Sequence, residues 1–179
     1  MLQKIIIFFI IFFSVILQLT VFTNIFFFGL GPNILLLLTI YWTTQAGFEK
    51  ALARNISAGF AYDLATFCII GTHIASFTLV AFFVGFISKR FLVVARNWRI
   101  LILAITIIFG TLANNLFLNG LFEIGSYFGK NSIGSVPVSF FSSILAKEVI
   151  LNILFFPLIY FLLKKIEHSN FFQVRKSIF

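Results

Sequence analysis

Apolar runs too long and too evenly greasy for a water-soluble core dominate this chain. Ile5–Val21, Ile34–Ala46, Ala51–Ile70, Ile74–Ser88, Ile100–Leu118 and Ser142–Leu163 follow one another with short polar breaks. Crossing a bilayer takes about 20 mostly apolar residues as a helix. A membrane β-barrel would instead alternate apolar and polar residues. These runs are apolar on every side, so the expected class is an all-α polytopic membrane protein. Composition agrees: 61% of the residues are hydrophobic and 10% charged, against about 45–50% and about 25% in soluble domains.

One run carries a carboxylate, in Gly59-Phe60-Ala61-Tyr62-Asp63-Leu64. An acid at the centre of a membrane helix costs about 2.5–3.5 kcal/mol on insertion scales. Asp63 therefore needs a partner, a wet cavity or a function. Gly59, Asp63 and Thr66 share one helical face and Ser57, Ala61 and Ala65 another, the second a candidate for close helix packing.

The expected spans are residues 5–22, 33–48, 51–70, 73–88, 99–118 and 142–163. The first begins like a signal peptide, but exceeds the ~7–15 residues of such an apolar core and lacks a small-x-small cleavage site. Gln18 near its far end is placed to bond a neighbouring helix or the headgroups. Gly31-Pro32-Asn33 reads as a turn. The second span is short, and is expected to borrow Gly47 and Phe48 or to cross thinned bilayer. Tyr41 and Trp42 on it read as interface anchors or packing residues. Glu49 to Arg54 reads as a charged loop, and Gly71-Thr72 as the tight turn of an antiparallel hairpin, with His73 only a polar cap. Gly120, Gly125, Gly129, Gly134 and Pro137 predict a long outer loop over 119–141. A basic cytoplasmic tail is expected over 164–179.

The net charge of +8 does not indicate nucleic-acid binding, because the basic residues lie in short clusters between apolar runs. They set orientation instead. With the N-terminus inside, eleven Lys and Arg fall on the cytoplasmic side and two, Lys130 and Lys147, outside. That bias requires an even number of spans. The reading is one transmembrane domain of six spans with both termini cytoplasmic, its basic clusters also attracting membrane lipids.

No chemistry-bearing constellation accompanies this frame. The sequence has no GxxxxGK[ST], GxSxG, CxxC or HExxH pattern, so neither catalytic residues, nor a metal, nor a cofactor is expected. Asp63 lies about 9–11 Å from the outer end of its span at ~1.5 Å per residue. Lys147 enters the sixth span from the same side. Two readings stay open: Lys147 pairs with Asp63 while Glu148 faces elsewhere, or Lys147 snorkels to the headgroups and Asp63 caps a polar cavity. Asn152 is a candidate for an interhelical hydrogen bond. Pro157 frees the carbonyl of Ile153 and is expected to kink its helix.

Several of these features recur together: Leu17-Gln18-Leu19-Thr20, Gly31-Pro32-Asn33, Gly59 to Leu64 with Gly71 after it, and Asn152 with Pro157 before a basic tail. In order and spacing the chain resembles the rod-shape-determining membrane protein MreD family. The resemblance implies a non-enzymatic inner-membrane subunit of the bacterial elongation machinery. It would join an MreC-like single-span protein, MreB, RodA and a penicillin-binding protein, coupling cytoskeletal filaments to peptidoglycan synthesis. It also implies a fold similar to the substrate-binding subunits of energy-coupling-factor transporters. A vitamin-type transporter subunit is accordingly the alternative function. Carried over as helix-packing or partner-docking positions are Gly59, Asp63 and Leu64, with Asn33, Asn152 and Pro157; Lys147 and Glu148 join them from the reading of the spans.

Overall fold

The computed structural model describes residues 2–22, 31–67, 69–92, 99–128 and 138–168. Helices make up nearly all of it. In chain order they are α1 (Leu2–Ile16), continued by a π-helical segment Leu17–Phe22, then α2 (Ile34–Ala46), α3 (Phe48–Thr66), α4 (Thr72–Ile87), continued by a π-helical segment Ser88–Leu92, α5 (Arg99–Phe128) and α6 (Val138–His168). Among the described residues, four stretches are long and apolar enough to cross a membrane: Lys4–Val21, Thr72–Arg90, Leu101–Gly120 and Leu145–Glu167.

The shortest helix lies at the centre. α2 has 13 residues, about 20 Å of rise, against a hydrocarbon core of about 30 Å. It packs against α1, α3, α4, α5 and α6, and every residue from Ile34 to Thr43 is buried. A helix walled in by protein need not match the lipid thickness, because its ends can find partners inside the bundle. Tyr41 and Trp42 belong to this core; they pack rather than anchor. Around them lie Val80, Val84, Ile107, Phe156, Ile159 and Leu163, an apolar filling that extends toward the basic end of the bundle.

The peripheral helices turn large apolar side chains outward, among them Phe8, Phe12, Phe82, Phe109, Leu154 and Phe161. That is the distribution expected where lipid rather than water is the solvent.

Three boundaries differ from the sequence reading. The second helix does not borrow Gly47 and Phe48. Gly47 adopts φ 81 and ψ 162, a conformation open essentially to glycine alone, and turns the chain directly into α3. Glu49 to Arg54 is therefore helical, not a loop. The expected loop from 119 is also shorter, since α5 continues through Phe128 and α6 begins at Val138. Its Gly120 and Gly125 are absorbed, as membrane helices accept glycine more readily than soluble ones; residues 129–137 lie outside the described residues. Likewise α6 carries the first part of the expected tail as helix to His168, and 169–179 are not among the described residues. Pro157 sits inside that helix and exposed on its surface.

Candidate functional site

Two polar clusters lie toward the end of the bundle remote from Arg54 and Glu167, and each is built on a helix N-terminus. The first few N–H groups of any helix have no partner within it. Where no water reaches, each unpaired group costs several kcal/mol. The chain meets this need with side chains donated from other helices.

At α4 the capping side chain is Asp63. The helix starts after Gly71 in a left-handed conformation, and Gly71 has no side chain with which to cap it. Asp63, in the last turn of α3, takes that role across the turn. Its Oδ2 accepts from the Gly71 amide at 2.8 Å. Its Oδ1 accepts from the His73 amide at 3.0 Å, the Thr72 hydroxyl at 3.0 Å and the His73 Nδ1 at 2.6 Å. A negative charge here also lies at the positive end of the α4 dipole. The imidazole stands edge-on to Tyr62, with centroids 4.6 Å apart, and to Phe77 at 5.9 Å.

Close approach makes this possible. A Cβ on Gly59 would lie 2.7 Å from Ile74 Cα and N, so only glycine lets α3 and α4 meet at this height. The face of α3 that packs is Ala51, Asn55, Ala58, Gly59 and Asp63. Of the expected small-residue face, Ala61 and Ala65 pack half-buried against the core, whereas Ser57 is exposed and returns its hydroxyl to Ala53 O at 2.8 Å.

At α2 three side chains share the task. Asn33 is the helix's own cap, accepting from the Leu36 amide at 3.1 Å. Gln18 Oε1 of the first membrane segment accepts from the Ile34 amide at 2.8 Å. Asn152 Oδ1 of α6 accepts from the Asn33 amide at 2.8 Å. Asn152 then donates through Nδ2 to Thr111 Oγ1 at 3.0 Å, and Asn115 Nδ2 bridges Thr111 O at 3.0 Å and Glu148 Oε2 at 2.9 Å. Like Asp63, this carboxylate sits beside a helix N-terminus. Between the clusters Ser76 donates to Asn114 Oδ1 at 2.7 Å, tying α4 to α5.

The opposite end is fastened differently. Tyr41 donates to Glu167 Oε2 at 2.8 Å, and Arg54 Nη1 lies 4.0 Å from Glu167 Oε1. These contacts join α2, α3 and the last turn of α6.

The eight residues singled out from the sequence thus divide. Gly59 and Asp63 fall in the first cluster, and Asn33, Glu148 and Asn152 in the second. Glu148 faces away from Asp63 and bonds to Asn115 in the network at the start of α2. Leu64, Lys147 and Pro157 are exposed. Asp63 Oδ1 bonds to the His73 ring at 2.6 Å, a contact beyond that of a polar cap. Thr72, Thr111 and Asn115 were missed as well. The open choice at Gln18 is settled in favour of the neighbouring helix. The signal available was the recurrence of Asn, Gln and Thr at one depth on successive spans. What the arrangement does chemically is fix helix ends and helix register; among the described residues no group of three or more His, Cys, Asp or Glu is placed to hold a metal.

Comparison with known proteins gives no match among curated proteins and none among solved structures. Residues 1–166, which contain every member of both clusters, match the family described as rod shape-determining protein MreD. The chain belongs to that rod shape-determining membrane protein family.

Proposed function

We propose that this protein is the non-enzymatic membrane scaffold of a bacterial cell-elongation complex, maintaining cell shape by helping couple cytoskeletal filaments to peptidoglycan synthesis. The observation that carries this reading is the family match over residues 1–166. The buried polar clusters are in keeping with it. Their hydrogen bonds go into holding α2 and α4 in place, as a rigid docking frame requires. Its partners are an MreC-like single-span protein, MreB, RodA and a penicillin-binding protein. It works in the inner membrane as a single domain of six spans with both termini in the cytoplasm. The end bearing Arg54, Lys89, Arg90, Lys164 and Lys165 then faces inward. The fastening of Tyr41, Arg54 and Glu167 at one end supports this alternation of helix directions.

Mild-detergent capture of the full chain tests the proposal. Recovery of an MreC-like single-span protein is expected, as is rounding of cells depleted of the chain while vitamin uptake continues. Stoichiometric recovery of a transporter ATPase pair with a bound vitamin, and normal cell shape on depletion, would replace it with the transporter reading.

A further inference from the structure

The outward face of α4 carries a groove that neither polar cluster uses. About 760 Å³ in volume, it runs from Phe48, Phe82 and Phe83 at one end to Ala75, Gly71 and Phe117 at the other, between α4, the start of α3 and α5. Its side chains are apolar but for Thr78. Edge-to-face ring contacts fix the aromatic end: Phe48 stands 5.8 Å from Phe82, Phe82 5.8 Å from Phe83, and Phe83 5.7 Å from Phe109.

The same stripe of α4 continues beyond the groove. Four residues after Phe82 it reaches Phe86, which is exposed and lies on the same helical face. There the Arg90 guanidinium stands 5.0 Å from the centre of the Phe86 ring, a cation–π contact that folds it back along α4 toward the groove. Lys89 is exposed beside it, and among the described residues no carboxylate pairs with either cation. From Gly71 to Phe86 the helix rises about 22 Å. One leaflet of a bilayer supplies about 15 Å, half of its hydrocarbon core.

Charge and length together select the occupant. Unpaired cations at one end suit a phosphate group. A groove longer than one leaflet suits a tail longer than those of phospholipids, and such a tail asks for no hydrogen bonds from an apolar lining. A membrane-spanning helix would match the length, but its cytoplasmic flank is basic by the same rule that orients this chain. It would set like charges against Lys89 and Arg90.

We propose, resting on the reading of this chain as a subunit serving peptidoglycan synthesis, that the α4 groove binds an anionic carrier lipid of the polyprenyl diphosphate class. Its tail lies along α4 from Phe86 to Gly71, and its diphosphate sits at Lys89 and Arg90. The scaffold then holds carrier lipid beside the synthase it docks.

Lipid binding to the full chain in detergent, followed by native mass spectrometry, is the test. Undecaprenyl diphosphate is expected to bind one per chain and to resist a large excess of phosphatidylglycerol. Arg90→Gln should weaken it about fivefold. Ala75 is exposed at the end far from Arg90. Ala75→Phe should weaken undecaprenyl diphosphate while leaving phosphatidylglycerol unchanged, since only the longer tail reaches that end. Equal binding of the two lipids by the parent, or parent-level binding of undecaprenyl diphosphate by either variant, overturns the proposal. So does loss of single-span partner capture in Ala75→Phe with lipid binding intact, which makes the groove a helix-docking site. If the parent captures its single-span partner and supports rod shape yet binds no polyprenyl lipid, this inference fails and the scaffold reading stands.

Discussion

Replacing Asp63 isolates the cost of an uncapped helix inside a membrane bundle. Asp63→Leu keeps apolar volume but removes all four hydrogen bonds at once. Thr72 retains a bond to Ile69 O at 3.0 Å, so its hydroxyl is not stranded. The Gly71 and His73 amides are. The His73 donor is buried and the Gly71 donor half-buried; at no more than about 1–3 kcal/mol each they give a loss of up to about 6 kcal/mol, before counting the favourable placement of charge at the α4 terminus. Asp63→Asn differs in kind. Its single carbonyl oxygen can stand at the Oδ1 position and serve the His73 amide and Thr72, leaving one stranded donor and a loss of about 1–3 kcal/mol. Reversible unfolding in mixed micelles, followed by helicity and by Trp fluorescence, ranks the three proteins. The expected order is parent, Asn, Leu, with Leu also failing to support rod shape at native expression. An Asp63→Leu protein within about 0.5 kcal/mol of the parent would refute the capping argument, since that is the scatter of inert substitutions.

Two further outcomes test the frame around it. Gly59→Ala places a methyl 2.7 Å from the Ile74 backbone and should destabilise the α3–α4 hairpin by about 1–3 kcal/mol, seen as faster disulfide trapping between cysteines placed across its turn. Asn152→Leu strands the Asn33 amide and unties Thr111; a loss of about 1–3 kcal/mol in the same unfolding assay is expected, partly restored by Asn152→Gln if the longer amide still reaches.

Much of the frame was legible because lipid imposes simple rules. Apolar runs forecast the helices in order. The partner of Asp63 was not legible. His73 lies ten residues on, and only the packing of α3 against α4 turns that spacing into a 2.6 Å contact. Lys147 looked better because depth along the membrane was the one coordinate the sequence offered; the direction each helix faces was not. Residue 119 was misread as the start of a loop since Gly120 punctuates soluble chains more strongly than membrane helices. The short α2 looked defective for the same reason: the thickness rule presumes contact with lipid, and this helix is surrounded by protein.

That central placement bears on biogenesis. The amide that opens α2 is satisfied by a side chain 119 residues further along the chain, on a helix synthesised long after α2 itself. Until α6 has been inserted, the core helix carries an unfinished end within the bilayer. Chains truncated ahead of α6 are accordingly expected to be held by membrane chaperones or destroyed by quality-control proteases, however well their first helices insert. The order of synthesis places closure of the centre after the insertion of α6.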